Sequence, residues 1–469
     1  MTEYNLQSRW KLEHRKLLYF GMRKAPYFLK HTLKINAVVE QLLQALPKHL
    51  TAQEKNVLKP YLDQGIVVLT NEVKTLPKSL EKAQFCVECV ANDFLIPGIE
   101  FNDLGLCPMC EERTITQSFK SVLPVKNTFE RSQKSRFDVA LFYTGGKDSS
   151  YLLYYLAKVK KYRVLALTWE IPFISKSAKQ SIENAKKHLD NVEFLSRKIA
   201  DQDLKKIYRK LHQLSGNVCA CPSLAYLMFY PDMVQENVPY FVVGNEPVQM
   251  LNLYFNRFAP KLAYREQTHK WLLRLANIFR VLSLKKPLKM GQLHTLLTMK
   301  QLAYKDPWFK RYSSYKHEIL TNILIAFNEV KGLRNGLKHA IKKSSRTARI
   351  PAFVQIDFND ISGGHYDWKA IQETIKKAIG WVGPEDETKG LHTSCQIEKC
   401  KDHTQFIRFY AMESQMIPFS AIEVSLASRG QHISRTQAIH EINNHLGFSL
   451  ESEPSCQIMV DYLDESSPL

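Results

Sequence analysis

The feature that most constrains the fold is an alternation of short apolar runs with longer amphipathic segments, which begins at Asp138. The apolar runs lie at residues 139–143, 164–169, 192–195, 240–243 and 353–356, and helical periods lie at 151–159, 178–189, 203–214 and 368–379. Runs that are apolar on both faces and separated by helices are typical of a parallel sheet with βαβ crossovers. The sequence therefore predicts an α/β protein with a doubly wound parallel sheet.

A glycine-containing loop follows the first of these runs. It reads Thr144-Gly145-Gly146-Lys147-Asp148-Ser149-Ser150 and precedes a predicted helix. Two glycines let the backbone turn sharply and approach an anion, and hydroxyls and amides at a helix start can donate to phosphate oxygens. Lys147 adds a positive charge, and Asp148 can hold Mg²⁺. The loop lacks the Walker A spacing, so we expect a phosphate cradle of another type.

Four cysteines have the spacing of a metal site. Cys86 and Cys89 are two residues apart, and 17 residues later Cys107 and Cys110 repeat that spacing. Two such knuckles typically close one tetrahedral four-thiolate site. The sequence predicts a structural Zn²⁺ at these residues.

The remaining cysteines leave two interpretations open. Cys219 and Cys221 precede a predicted helix, Cys395 and Cys400 lie far downstream, and Cys456 has no neighbour in sequence. Converging thiols could ligate an iron-sulfur cluster or carry a transferable sulfur. They could equally be reduced thiols that line a substrate pocket or pack in the core.

The charge is concentrated in one segment. The chain of 469 residues has a formal net charge of +19, and residues 255–350 hold 21 Lys/Arg against 4 Asp/Glu. Such an excess indicates an anionic partner. The candidates are a nucleotide sugar, an anionic membrane surface bound by the amphipathic stretch 269–290, or RNA bound with the help of an aromatic and basic cluster. A solvated helical lid over the active site is the remaining interpretation. The aromatic and basic cluster comprises Trp308, Phe309, Lys310, Arg311 and Tyr312.

These patterns predict five parts. They are a helical N-terminal region at 1–83, a zinc unit at 84–113, a catalytic domain at 114–254, a basic helical insert at 255–350, and the rest of the catalytic domain with a helical tail at 351–469. The first ten residues carry no apolar leader, and no run is long enough to span a membrane. We expect a cytoplasmic protein, with peripheral contact to the inner face of the membrane as an option.

The glycine-containing loop resembles the PP-loop of the ATP pyrophosphatase superfamily, whose usual form is Ser-Gly-Gly-x-Asp-Ser. The resemblance implies an adenine nucleotide alpha hydrolase-like fold and the use of ATP with Mg²⁺. It implies cleavage between the α and β phosphates, adenylation of a carbonyl oxygen, and displacement of AMP by nitrogen or sulfur. Lys147 and Asp148 would be catalytic, and the end of the second strand, at Thr168, would lie beside the adenosine. The nucleotide would be bound by Thr144, Gly145, Gly146, Lys147, Asp148, Ser149, Ser150 and Thr168.

A second resemblance narrows the chemistry. The stretches 85–90, 97–103, 105–110, 406–409, 421–429 and 433–439 are similar to bacterial N-acetyl sugar amidotransferases, which convert an acetamido group to an acetamidino group on surface-polysaccharide sugars. It implies an N-acetyl sugar as substrate and ammonia from a separate glutaminase subunit. Asn245 and Glu246, which follow the 240–243 run, would bind substrate. The alternative is an RNA-modifying sulfur transferase that acts on tRNA with Cys219 or Cys221 as the catalytic thiol.

Overall fold

The computed structural model of the chain describes residues 3–28, 30–216, 220–304 and 317–464. The cluster at residues 308–312 and the thiol of Cys219 lie outside these ranges. None of the helices within them combines the length and the hydropathy that crossing a bilayer requires.

The described part of the first 83 residues combines five short strands with two α-helices, so the prediction of a helical N-terminal region holds only in part. The apolar residues Leu17 and Tyr19 are buried while Lys16 is exposed, which is the alternation of a strand. Antiparallel pairing joins β2 to β3 and β3 to β4, and also joins β1 to β5. Arg9 fastens this region to the rest of the chain by donating to the carbonyls of Phe409 and Tyr410 at 2.6 Å each. The elements are β1 (Tyr4–Leu6), β2 (Trp10–Glu13), β3 (Lys16–Tyr19), β4 (Thr32–Lys34), α1 (Ala37–Gln44), α2 (Ala52–Leu62) and β5 (Val67–Leu69).

A compact cysteine-containing unit follows, with two single-turn helices, α3 (Pro108–Glu111) and α4 (Arg113–Thr116). It leads into a five-stranded sheet that is parallel throughout, with the strand order β10-β9-β6-β7-β8. This confirms the predicted α/β class and the parallel sheet. The strands are β6 (Val139–Phe142), β7 (Val164–Trp169), β8 (Val192–Arg197), β9 (Tyr240–Val243) and β10 (Ala352–Gln355).

Helices cover both faces of the sheet, because its strands carry apolar side chains on both sides. Val139 and Leu141 point into one core, and Ala140 points into the other. The first face packs against α5 (Lys147–Tyr154), which continues as a π-helical turn to Val159, and against α6 (Lys176–His188). The second packs against α7 (Asp201–Ser215) and α8 (Cys221–Gln235).

The basic segment is helical, as predicted, but most of it belongs to the core. After α9 (Pro247–Phe255) come α10 (Glu266–Leu282), α11 (Gln292–Tyr304), α12 (Glu318–Ala326) and α13 (Asn335–Thr347), which together form the crossover from β9 to β10. Helices α11 to α13 supply buried apolar residues such as Met299, Ile323 and Ile341 to the second core. Helix α10 differs, since most of its surface is exposed.

The C-terminal part is helical and closes the first face of the sheet. Asp367 caps the helix that contacts α5, because its carboxylate accepts from the amide of Ala370. The elements are α14 (Phe358–Ile361), α15 (Trp368–Ile379), α16 (Glu398–Tyr410), α17 (Phe419–Arg429), α18 (Arg435–His445) and α19 (Pro454–Asp464). The predicted bounds of the five parts stay predictions.

Candidate nucleotide site and cysteine centres

The glycine-containing loop lies where the strand order reverses. Strand β6 has β7 on one side and β9 on the other, and the chain leaves β6 and β9 toward opposite edges of the sheet. In open α/β sheets, this switch point leaves a crevice at the carboxyl ends of the strands, where ligands bind. The 144–146 loop and the 244–246 loop border that crevice.

The loop backbone is tightly packed at its first glycine. Gly145 has a φ of +73°, and a Cβ at this position would lie 2.3 Å from the carbonyl oxygen of Ala178, so only glycine fits. No side chain caps α5 at Gly146. The first amide of α5, that of Lys147, donates to Oγ1 of Thr393 at 3.0 Å.

The loop hydroxyls fall into two groups. Thr144 Oγ1 and Ser149 Oγ are 3.2 Å apart across the loop. Thr144 is exposed and Ser149 is buried, and the predicted donation of their hydroxyls to an anion stays a prediction. Ser150 is completely buried, and its hydroxyl lies 3.5 Å from that of Tyr143 beneath the loop. Ser150 therefore supports the loop from below.

Lys147 is enclosed in a cage of acidic and aromatic groups. Its side chain is 2 % exposed, and its Nζ lies 2.5 Å from Asp148 Oδ1 and 3.7 Å from Glu246 Oε2. The same atom lies 4.8 Å and 4.6 Å from the ring centres of Tyr366 and Trp368. Asp148 is thus the direct ion-pair partner of this buried charge, and Glu246 lies farther away. The predicted catalytic role of Lys147 stays a prediction.

Asp148 and Glu246 are held in place from the α14–α15 region. The hydroxyl of Tyr366 donates to Asp148 Oδ1 at 2.5 Å, and Trp368 Nε1 donates to Glu246 Oε2 at 2.7 Å. Burial and the negative charge of Asp148 raise the pKa of Glu246 to about 8. Glu246 Oε1 has no hydrogen-bond partner among the described residues. A buried acceptor of this kind is costly unless a ligand or water satisfies it.

Asn245 lies beside Glu246 but bonds locally. Its amide donates to Gln249 Oε1 at 3.1 Å, and its carbonyl accepts from the side chain of Gln355. Gln355 Oε1 also has no partner within the described ranges. The loop that was predicted to bind substrate therefore borders two buried unsatisfied oxygens.

The predicted adenosine side is also a cavity. A space of about 730 Å³ opens at the ends of β7 and β8, lined by Thr168, Glu170 and Ser196 among others. Thr168 Oγ1 donates to the carbonyl of Tyr143 at 3.1 Å. This bond ties the end of β7 to the start of the nucleotide loop.

Residues 392–395 form a part of the site that sequence reasoning missed, apart from Cys395. The hydroxyl of Thr393 accepts from the amide of Lys147 in the loop. The amide of Ser175 donates to the carbonyl of Ser394 at 3.0 Å. His392 Nε2 lies 3.0 Å from Glu423 Oε2, and Asn252 donates to the other oxygen of Glu423 at 2.8 Å. No motif marks these residues, because α9, α17 and the 392–395 segment converge only in the fold.

Titratable groups surround His392. Burial opposes its charge, but the carboxylates of Glu398 and Glu423 raise the pKa of His392 to about 9. Burial raises the pKa of Asp402 to about 7, although the positive charge of His392 opposes the rise. Lys401 donates to Glu398 at 2.6 Å. The site thus holds a cluster of groups that can exchange protons near neutral pH.

The remaining cysteines separate into two places. Cys221 and Cys395 line a cavity of about 190 Å³ together with Thr144, Glu398 and Lys401. Cys400 is buried in the second core, and the Sγ of Cys456 lies 3.9 Å from its carbonyl oxygen. Two of the four thiols whose convergence was in question therefore line one cavity beside the nucleotide loop. The position of Cys219 is not described.

The four-cysteine group is assembled as predicted. The Sγ atoms of Cys86, Cys89, Cys107 and Cys110 lie within 4.8 Å of one another, and all four residues are buried. Amides donate to two of the sulfurs, from Cys107 to Cys86 Sγ at 3.3 Å and from Ala91 to Cys89 Sγ at 3.4 Å. The donor set fits a metal that prefers four thiolates, as Zn²⁺ and iron-sulfur clusters do.

Two arginines from the C-terminal helices hold this unit. Arg435 Nη1 donates to the carbonyls of Cys86 and Cys89, and Arg429 Nη1 donates to that of Met109 at 2.6 Å. Such contacts to the groups around metal ligands fix the ligand positions. The unit is thereby joined to α17 and α18.

Comparison with known proteins finds matches among solved structures but none among family models or curated sequences. Among solved structures, the U34-tRNA thiolase NcsA from Methanococcus maripaludis, with its 4Fe-4S cluster, aligns over 56% of this chain and 86% of that chain at 16% identity and a TM-score of 0.22. A superposition at this TM-score does not establish a common fold or function.

Proposed function

We propose that this chain is an ATP-dependent enzyme of the PP-loop type that adenylates a carbonyl oxygen and releases pyrophosphate. The observation that carries the proposal is the position of the 144–150 loop at the switch point of the parallel sheet. The 730 Å³ cavity at the end of β7 supports it, since it offers room for an adenosine beside Thr168. The left-handed backbone at Gly145 and the start of α5 at Gly146 suit a phosphate.

Each group near the loop has a proposed task. Thr144, Ser149 and the backbone of Gly145 and Gly146 bind the phosphates of ATP, and Thr168 borders the nucleoside. Asp148 is the proposed ligand for Mg²⁺, which would neutralise phosphate charge and orient the α-phosphate. Lys147 holds the carboxyl groups of Asp148 and Glu246 in position. These two groups border the crevice.

We propose ammonia as the nucleophile and an N-acetyl sugar as the substrate, on the strength of the resemblance to the amidotransferases. The acetamido oxygen would attack the α-phosphate, pyrophosphate would leave, and ammonia would then displace AMP to give an amidino group. Glu246 and His392 suit the proton transfers that the reaction with ammonia requires. Both lie at or beside the crevice and can exchange a proton near neutral pH. A separate glutaminase subunit would supply the ammonia.

A second candidate function is sulfur transfer to RNA. One observation favours it: Cys221 and Cys395 line the same cavity as Thr144. A persulfide on Cys221, loaded by a separate sulfane-sulfur donor, could attack the adenylated carbon of a base and expel AMP, after which an external thiol reductant would free the base sulfur and restore the cysteine thiol. The basic segment could follow the RNA backbone. In this case pyrophosphate release should be stimulated by tRNA and should weaken steeply with salt.

The test uses ATP labelled at the α-phosphate, incubated with N-acetylated nucleotide sugars plus ammonium, with tRNA, or with small carboxylates. Labelled AMP and pyrophosphate indicate α–β cleavage, whereas labelled ADP would contradict the proposal. Asp148→Asn should lower pyrophosphate release by at least about 100-fold, the size of effect expected for an electrostatic catalytic group. The exposed Asp190→Asn is the matched control. Stimulation by tRNA alone would replace the amidotransferase assignment with the second candidate.

A further inference from the structure

Helix α10 turns three polar side chains, those of His269, Asn277 and Arg280, toward the protein and most of its apolar side chains toward solvent. His269 Nε2 lies 2.6 Å from the carbonyl oxygen of Ala263, and Asn277 both donates to and accepts from the backbone of Leu288. Arg280 donates to the carbonyls of Lys286 and Ser345. Directed hydrogen bonds therefore hold the helix on the body of the protein, so its orientation is fixed.

The outward side of α10 is apolar. Trp271 is 60 %, Phe279 69 % and Leu282 76 % exposed, and the same face carries Leu272, Leu275 and Ile278. Of the 21 large apolar side chains exposed in the described part of the chain, nine lie between Leu262 and Leu284. A contiguous apolar surface of this kind marks an interaction site rather than ordinary surface composition.

The rim of this surface is strongly basic. Between Lys261 and Lys289 the chain has eight Lys/Arg and one acidic residue. Seven of the eight are exposed, Arg280 being the buried one. The acidic residue, Glu266, forms an ion pair with Lys270 at 2.7 Å. The partner of this face must therefore offer apolar groups and negative charge together.

We propose that the outer face of α10 binds the surface of an anionic lipid bilayer, with the helix axis parallel to the membrane. Its aromatic and aliphatic side chains would enter the boundary between headgroups and acyl chains, and the basic residues at its rim would contact acidic headgroups. This inference stands on the helix alone and does not depend on the proposed reaction.

Other occupants fit the face less well. RNA would use the cations and the two aromatic rings, but the four aliphatic side chains have no face on which a base could stack. A second copy would bring two sets of cations together. Residues 305–316 of this chain contain four Lys/Arg and one acidic residue, so they do not complement the charge either. A bilayer of acidic lipids meets both requirements at once.

The test is flotation of the full chain with vesicles of phosphatidylcholine, with and without 30 % phosphatidylglycerol. We expect binding to the anionic vesicles to exceed binding to neutral ones by at least about tenfold and to fall in 0.5 M NaCl. Vesicles with brominated acyl chains should quench tryptophan emission, and Trp271→Phe should remove most of that quenching.

Two double variants distinguish membrane binding by α10 from non-specific adsorption of exposed apolar side chains to vesicles. Phe279→Ser with Leu282→Ser should reduce flotation by at least about tenfold, since the apolar insertion is lost. Leu450→Ser with Ile458→Ser removes two exposed apolar side chains elsewhere and should leave flotation unchanged. Because all four residues are exposed, both variants should keep the wild-type melting temperature.

Three results would overturn the proposal. They are equal flotation with neutral and anionic vesicles, equal loss in the two double variants, and no flotation of the wild-type chain. If the Phe279/Leu282 variant instead loses only tRNA binding or only dimer formation, measured by filter binding and light scattering, the face belongs to that partner. The ATP assay described above gives an independent readout, so failure here leaves the proposed reaction untouched.

Discussion

The two cysteine groups of this molecule differ in enclosure. Cys86, Cys89, Cys107 and Cys110 are buried with their sulfurs in mutual contact range, and backbone amides and two arginines surround them. Cys221 and Cys395 instead border a cavity of about 190 Å³ that also contains Thr144 and Lys401. Cysteines thus form a closed group in one region and line a cavity beside the nucleotide loop in the other.

The difference teaches how to assign roles to cysteines. A closed four-thiolate site has no open position for a reactant, so its metal contributes to folding. A thiol at a cavity wall is accessible to substrate, and its reactivity depends on neighbouring charges such as Lys401. Perturbing the closed group should therefore change stability first, and perturbing the open pair should change chemistry first.

The largest effect is expected from Cys107→Ser. Loss of one thiolate should release the metal, and metal binding in small four-ligand sites contributes on the order of 10 kcal/mol to folding. We expect loss of cooperative unfolding around residues 84–113 and a melting temperature lowered by at least about 10 °C. Elemental analysis and thermal unfolding of the anaerobically purified chain check both, and visible absorbance distinguishes an iron-sulfur cluster from zinc.

Cys456→Ser is the control for this change. That residue lies in α19 outside the four-cysteine group, so metal content and melting temperature should stay at the wild-type values. If Cys107→Ser retains one metal per chain and melts like the wild type, the closed group is not a metal site, and the comparison fails at its first step.

The next effect is a pH dependence of the unfolding free energy, caused by Asp402 in the acid-base cluster near the Cys221 and Cys395 cavity. Burial raises the pKa of Asp402 to about 7, above the 3.8 of an unfolded aspartate. The folded state therefore holds a proton that the unfolded state has released, and stability falls as the pH rises through about 7. Asp402→Asn should remove this fall and gain on the order of 2–4 kcal/mol at pH 8. Denaturant unfolding between pH 5 and pH 8 measures it.

Asp190→Asn, at an exposed position, is the matched control and should follow the wild-type curve. The groups that face Asp402 are His392, Glu398 and Lys401, together with the hydroxyl of Ser420. Parallel curves for Asp402→Asn and the wild type would mean that the acid-base cluster beside the cavity does not control stability.

A smaller effect concerns the attachment of the closed group. Arg435→Met keeps an apolar stem but leaves the carbonyls of Cys86 and Cys89 without their charged donor. We expect a loss of about 1–3 kcal/mol in unfolding free energy with metal still bound. The exposed Arg349→Met should cost nothing measurable. Equal costs for the two variants would show that the arginine does not support the metal unit.

Much of the fold could be predicted from the sequence because buried parallel strands have a strong local signature. Strands β7 and β9 and helix α15 begin and end where the apolar periodicity indicated. The N-terminal region could not, because the apolar stripe through Leu17 and Leu18 fits a helix and a strand equally well over so few residues. Antiparallel pairing of β3 with β2 and β4 selects the strand, and this pairing leaves no periodic signal within so short a segment.

The site divides in the same way. The nucleotide loop and the four-cysteine group are contiguous motifs, so their residues could be named in advance. Tyr366, Trp368, His392 and Glu423 could not, because they come from three later segments of the chain and carry no local pattern. The inward polar face of α10 was likewise hidden, since periodicity reveals a stripe but not which side meets the protein.

The smallest effect on stability, and the most informative for chemistry, is expected from Cys221→Ser with Cys395→Ser. Serine is nearly isosteric, and the cavity wall can accommodate it, so unfolding free energy should change by less than about 1 kcal/mol. If ammonia is the nucleophile, pyrophosphate release with the sugar substrate should stay within about threefold of wild type, because neither sulfur takes part. If sulfur is transferred, product formation on tRNA should vanish while AMP formation persists. Cys456→Ser fixes the baseline, and a metal content lowered by the double variant would contradict the assignment of the closed group as the metal site.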